Sequence, residues 1–238
     1  MALTIGTGLT IGGGITFTAI LPTPVSAGLQ VNLDAATYSG TGPWIDSVNA
    51  AQYALFNGVS YSSTTGGGSF GFDPALTQYA YCSSTLPTFI NWTVEAWHYY
   101  DGTYNVGDPC IVSQQYTSSI NFALGSVSTS SPGLQAGFFN GAWQATNPQT
   151  LTVGNWYQVV GTCNGTDVSI YINGALMSSQ AWAASAPSSS GGGTYLMHRW
   201  DNSDCWGGRL SIVRVYDTDI TAAGVTQNWL ADRARFGL

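Results

Sequence analysis

The chain has no lysine, and its five arginines, Arg199, Arg209, Arg214, Arg233 and Arg235, all fall after residue 198. Residues 1–198 carry seven acids and no arginine or lysine; residues 199–238 carry five acids and the five arginines. Nucleic acid needs clustered cations to neutralise phosphate, so it is excluded as a partner. An anionic membrane surface is excluded on the same ground. Charged residues make up 7% of the chain, far below the ~25% of an ordinary soluble domain. The surface is therefore expected to be coated in small polar residues or covered by other subunits. Glu95 is the sole glutamate, and His98 and His198 are the sole histidines. No apolar run approaches the ~18 residues that cross a bilayer as a helix. The four cysteines, Cys82, Cys110, Cys163 and Cys205, contain no CxxC pair, which argues against zinc. The start of the chain lacks the basic residues of a secretory signal, so the cysteines are expected to be reduced and mostly buried.

What is present is β-forming and glycine-rich. Of 238 residues, 44% are hydrophobic, 30 are glycine and nine are tryptophan. That length supports one large sandwich core without disulfides or metal. The first 17 residues hold a six-residue repeat, Leu3-Thr4-Ile5-Gly6-Thr7-Gly8 then Leu9-Thr10-Ile11-Gly12-Gly13-Gly14, followed by Ile15-Thr16-Phe17. Such a segment cannot order itself alone. Pro22 and Pro24 mark a linker. Residues 1–27 are therefore read as an extended N-terminal arm and 28–238 as one domain.

Period-2 alternation predicts strands at Leu29–Leu33, Asn91–Tyr100, Asn155–Cys163, Asp167–Ile172 and Leu210–Tyr216. Asn164-Gly165 and Asn173-Gly174 are predicted as type I′ hairpin turns. Tyr61–Phe72 and Trp182–Gly193 read as loops. Thr221 is placed to cap a short helix from about Ala222 to Ala231, with Val225 and Trp229 on its inner face. The pattern is that of an all-β, two-sheet antiparallel sandwich with one short C-terminal helix.

Three motifs in order carry a family resemblance. Trp92-Thr93-Val94-Glu95-Ala96-Trp97 resembles an early core strand of the concanavalin A-like lectin/glucanase (laminin G-like) domain. Val153–Val160 with Val168–Gly174 is similar to that family's central hairpin. Gly208–Tyr216 with Ile220-Thr221-Ala222-Ala223 resembles its closing strand and helix. The resemblance implies a jelly roll with a sheet that often binds carbohydrate. Its particular flavour, and the glycine-threonine-isoleucine arm, resemble virion proteins of tailed phages. It thus implies a virion structural protein, a capsid decoration protein attached through its arm, with other virion proteins and itself as partners. The alternative is a lectin-like module on a tail appendage that recognises a host surface glycan.

The candidate residues follow from chemistry. A β-branched arm can add a strand to a neighbour's sheet, which makes Thr4, Ile5, Leu9, Ile11, Ile15 and Phe17 the expected partner-binding residues. Aromatic platforms suit sugars, and Trp143, Trp182, Trp200 and Trp206 lie in loop-like, polar contexts. Calcium wants six to eight oxygens; Asp201 and Asp204 flank Asn202-Ser203 and are its best candidates, although no cofactor is required. A retaining glycosidase needs two carboxylates about 5 Å apart. Glu95 has no acid within five residues, so no catalytic site is expected. Gly67-Gly68-Ser69-Phe70-Gly71 matches GxSxG but lacks the strand before and helix after that a nucleophile elbow requires.

Overall fold

The computed structural model describes residues 9–11, 15–17, 21–105, 107–116, 119–125, 133–182, 192–199 and 204–238. The strands in chain order are β1 (Leu9–Ile11), β2 (Ile15–Phe17), β3 (Leu29–Asp34), β4 (Trp44–Ile45), β5 (Gln52–Phe56) and β6 (Ser60–Ser62). They continue with β7 (Ser69–Phe72), β8 (Tyr79–Cys82), β9 (Asn91–Tyr100), β10 (Cys110–Tyr116), β11 (Ser119–Gly125) and β12 (Gln135–Phe139). The last are β13 (Trp143–Ala145), β14 (Asn155–Asn164), β15 (Asp167–Ile172), β16 (Ala175–Ala181), β17 (Thr194–Leu196) and β18 (Gly208–Tyr216), before helix α1 (Thr221–Asp232).

Two antiparallel sheets face each other. The first runs β13-β12-β11-β10-β17-β8-β5-β4. The second runs β16-β15-β14-β9-β18-β7-β6, with β3 also paired to β18. Alternate residues of both sheets fill the core between them: Val31, Leu33, Phe70, Phe72, Trp92, Val94 and Val213 from one side, Ala80, Val112, Phe122, Leu124, Ala136 and Leu196 from the other. All four cysteines are free and buried.

β9 is buried on both faces, which explains its continuous run of large residues. Trp92, Val94 and Ala96 enter the main core. The opposite face lies under α1 and the turn that follows it. There the Trp97 ring lies between Trp229, 5.5 Å away, and Phe236, 4.2 Å away, with planes 6° and 11° apart. Glu95 is fully buried beside them; its Oε1 accepts from Gln158 Nε2 at 2.8 Å and its Oε2 from Asn228 Nδ2 at 2.6 Å. Arg214 Nη1 bridges Glu95 Oε2 at 3.3 Å and Asp232 Oδ2 at 2.6 Å. The helix is thus clamped to the sheet by stacked rings and a buried ion triad.

Several local expectations are corrected. Tyr61–Phe72 is not a loop throughout: β6 and β7 pair within it, and Phe70 and Phe72 are core residues. Asn173-Gly174 does have positive φ at both positions, the type I′ signature. At Asn164-Gly165 only Gly165 is positive, with Asn164 instead accepting from the amides of Thr166 and Asp167. The first central residue is therefore Gly165, the pattern of a type II′ turn. Thr221 does not cap the helix; the Asp219 carboxylate accepts its amide at 2.8 Å. Thr23 and Val25, read as linker, are tied to the helix: Gln227 donates to the Thr23 carbonyl and the Val25 amide donates to Asn228.

Candidate functional site

Residues directly opposite each other in an antiparallel pair share a face. Register therefore defines one row across the outer face of the first sheet. Tyr81 opposes Tyr195, Tyr195 opposes Ser113, Ser113 opposes Ala123, Ala123 opposes Gly137, and Gly137 opposes Ala145. The inward neighbours of these residues, Ala80, Val112, Leu124, Ala136 and Leu196, are core, so the row faces outward.

The row has a particular shape. Its middle, Ser113, Ala123 and Gly137, is made of small residues. At one end Trp143 closes over it: a Cβ on Gly137 would lie 2.6 Å from the Trp143 ring. Phe139 opposes Trp143 on the same face. At the other end Tyr81 and Tyr195 stand with centroids 4.5 Å apart. Next to them the Phe56 and Tyr79 rings stack at 4.5 Å and 10°, and the buried His198 ring lies 4.4 Å from Tyr79. The row, called the trough below, is bounded by aromatic rings, and its middle is buried, with Ser113 at 0% and Ala123 at 3% exposed.

A polar group sits near one end of the row. Gln115, beside the register shift that leaves Asn121 without an opposite residue, is 1% exposed, and neither atom of its amide has a hydrogen-bond partner among the described residues. The neighbouring Asn121 donates to Gln114 Oε1 but leaves its own Oδ1 without a partner. Buried amides are ordinarily paired, so these two are unusual among the described residues. Burial and the neighbouring Tyr81 push the Tyr195 hydroxyl up to about 12, so it stays a neutral donor and acceptor at physiological pH.

The residues expected from sequence are distributed as follows. Trp143 borders the trough. Trp182 is half-buried against the main core. Trp206 is 2% exposed and within the core, beside His98 and Tyr100, so it offers no face to a sugar. Trp200 and Asp201 lie outside the described residues, as do Thr4 and Ile5. Leu9, Ile11, Ile15 and Phe17 fall in β1 and β2, which pair with each other in the register Leu9–Phe17 and Ile11–Ile15.

Asp204 Oδ2 accepts from the Asp108 amide at 2.9 Å and from Arg199 Nη1 at 3.2 Å. Arg199 thus engages this carboxylate, and the other calcium candidate, Asp201, lies outside the described residues. Among the described residues no group of three or more Asp, Glu, His and Cys could hold a metal ion.

The tyrosines of the trough were missed by sequence reasoning. A signal was there: in Tyr79-Ala80-Tyr81-Cys82 the small residues enter the core and the tyrosines alternate outward.

Two residues raised by the sequence in connection with catalysis, Glu95 and Ser69, are engaged in the structure. Glu95 is sealed under the helix. Ser69 is buried, donates to the Thr65 carbonyl and accepts from Arg209 Nε, with no histidine partner.

The family model described as the concanavalin A-like lectin/glucanases superfamily matches residues 74–226. The chain belongs to this superfamily. Comparison with curated protein sequences gives no match. Among solved structures, the chain is similar to domain 4 of AbnA, a GH43 extracellular arabinanase from Geobacillus stearothermophilus, in complex with arabinotriose. That likeness has 14% identity and a TM-score of 0.65, covering 86% of this chain and 98% of that one. It is also similar to the binding domain of Paraclostridial Mosquitocidal Protein 1, at 13% identity and a TM-score of 0.66, covering 85% of this chain and 52% of that one. A third likeness is to Trypanosoma rangeli sialidase, at 14% identity and a TM-score of 0.63, covering 89% of this chain and 35% of that one. The present chain spans about half of the toxin domain and a third of the sialidase. The shared feature is the lectin-like sandwich, which recurs in binding domains.

Proposed function

We propose that this chain is a non-catalytic carbohydrate-binding protein whose ligand lies along the outer face of the first sheet. The observation that carries the reading is the trough itself: a row of small residues bounded by aromatic rings at Trp143 and Tyr81–Tyr195. Sugars present apolar faces to aromatic rings, and this arrangement offers such rings. The arabinotriose complex of one similar domain supports it. The absence of catalysis is supported by Glu95, whose two oxygens are held by Gln158, Asn228 and Arg214 beneath the helix. The test is a panel of immobilised oligosaccharides probed with the wild type and with Tyr81→Ala/Tyr195→Ala. Retention of a glycan by the wild type, its loss in the double variant and no cleavage of the retained glycan are expected. Hydrolysis abolished by Glu95→Gln would overturn the non-catalytic reading.

A second reading concerns the setting. We infer a virion structural protein of a tailed phage, a capsid decoration protein held by its N-terminal arm to other virion proteins or to copies of itself. The resemblance of the sequence motifs and of the glycine-threonine-isoleucine arm to tailed-phage virion proteins motivates it, and the arm is consistent with it: β1 and β2 pair with each other and with no other described strand. The test compares the solution mass of the full chain with that of a chain starting at Leu21, which keeps the Thr23 and Val25 anchors. Assembly that requires residues 1–20 supports docking through the arm. Monomers in both cases restrict the arm to a foreign partner, and failure of the full chain to bind phage heads stripped of decoration would refute the reading.

A further inference from the structure

A second polar cleft lies on the opposite side of the sandwich. Register again builds it: Tyr99 opposes Arg209, Arg209 opposes Gly71, and Gly71 opposes Ser60, one row across β9, β18, β7 and β6. Its neighbours Phe70, Phe72 and Leu210 are core, so the row faces outward on the second sheet. Asp73 and Asp101 close its rim, and its volume is about 310 Å³, at the lower end of pockets that take small molecules. Gly71 leaves the floor open: a Cβ there would lie 2.6 Å from Ser60 Oγ and 3.0 Å from Arg209 Nη1.

The free hydrogen-bonding groups define the ligand. Arg209 uses Nε on Ser69 Oγ and Nη2 on the Ser69 carbonyl, at 2.8 and 3.2 Å. Among the described residues its end-on edge, Nη1 with the second Nη2 proton, has no partner, and no carboxylate forms an ion pair with it. Asp73 and Asp101 each use only Oδ1, on the Ala75 amide and on Thr103 respectively. Their Oδ2 atoms remain acceptors. The cleft thus pairs a donor edge with two acceptors and carries a net charge of −1. A carboxylate ligand is opposed by the two aspartates within a chain of net charge −7. An ammonium ligand is opposed by Arg209. A vicinal diol satisfies both sides, since each hydroxyl donates to a carboxylate while accepting from the guanidinium.

We propose that this cleft binds one neutral, uncharged sugar residue through adjacent hydroxyls, as a site separate from the trough. The ligand class rests on the carbohydrate reading above, and the site does not.

The test is an NMR titration of the full chain with methyl glucopyranoside and methyl galactopyranoside, up to tens of millimolar. Wild type, R209Q, D101N and the Tyr81→Ala/Tyr195→Ala variant are compared. At least one glycoside is expected to shift the Tyr99 and Gly71 amides, with binding weakened roughly tenfold or more in both R209Q and D101N. It is expected to be unchanged in the tyrosine variant. Asp101 is exposed, so D101N keeps the test independent of any folding effect at Arg209. The proposal is overturned if neither glycoside shifts those amides or if binding persists in D101N. It is also overturned if glucuronate or glucosamine binds more tightly than the neutral glycosides. Loss of binding in the tyrosine variant instead assigns the sugar to the trough and leaves the cleft without a ligand.

Discussion

His98 makes stability depend on pH in a way that one substitution isolates. The ring is fully buried, and its Nε2 hydrogen-bonds the Gly207 carbonyl at 3.0 Å. Burial is the largest influence and pulls the imidazole down to about 4, against smaller upward pulls from that carbonyl and from Asp101. The unfolded chain titrates near 6.5. Between these values the unfolded state holds a proton at His98 that the native state does not. Stability is therefore complete above about pH 6.5 and falls as pH drops through that window. The gap between these two values corresponds to about 3 kcal/mol lost by pH 4. Asp46 and Asp232, raised chiefly by burial, act in the opposite sense and favour the folded state as pH falls. The difference between wild type and His98→Gln removes them. Urea midpoints measured from pH 8 to pH 4 should converge, the wild type losing about 3 kcal/mol relative to the variant. A gap that stays constant with pH would refute the buried neutral imidazole.

Other outcomes follow from the same geometry. Arg214→Met leaves Glu95 and Asp232 as uncompensated charges beneath the helix and should cost about 3–5 kcal/mol by urea denaturation; a loss below 1 kcal/mol would mean the triad does not clamp the helix. Gly174 has φ +78°, and a Cβ there would lie 3.0 Å from the Trp229 ring. Gly174→Ala should therefore lower stability by about 1–2 kcal/mol, read as a drop in melting temperature. The four buried thiols should resist a thiol reagent in the native state, Cys110 most of all since burial pushes it up to about 12, and all four should react in urea; rapid native reaction at Cys110 would contradict its placement.

Much of the sandwich was legible because its physics is local. Alternation exposed β3, β9, β14, β15 and β18, and the Asn-Gly pairs marked both hairpins. Where reading failed, a long-range contact decided. β7 looks like loop because Gly71 and Ser69 are poor strand formers; Gly71 is small because Arg209 and Ser60 crowd it, and Ser69 is held by that same arginine. Thr221 resembles a cap, but Asp219 reaches the helix end first. Trp206 resembles a surface aromatic because its segment is polar, yet it bridges to Tyr104 and closes the core. Neither the trough nor the cleft is written in any one segment, since each is a row across strands far apart in sequence.

The most direct test of the central claim is a crystal structure of the full chain soaked with an oligosaccharide retained from the panel. A sugar ring lying against the exposed rings of Tyr81–Tyr195 or Trp143 is predicted. A glycan bound elsewhere, with this row empty, would contradict it.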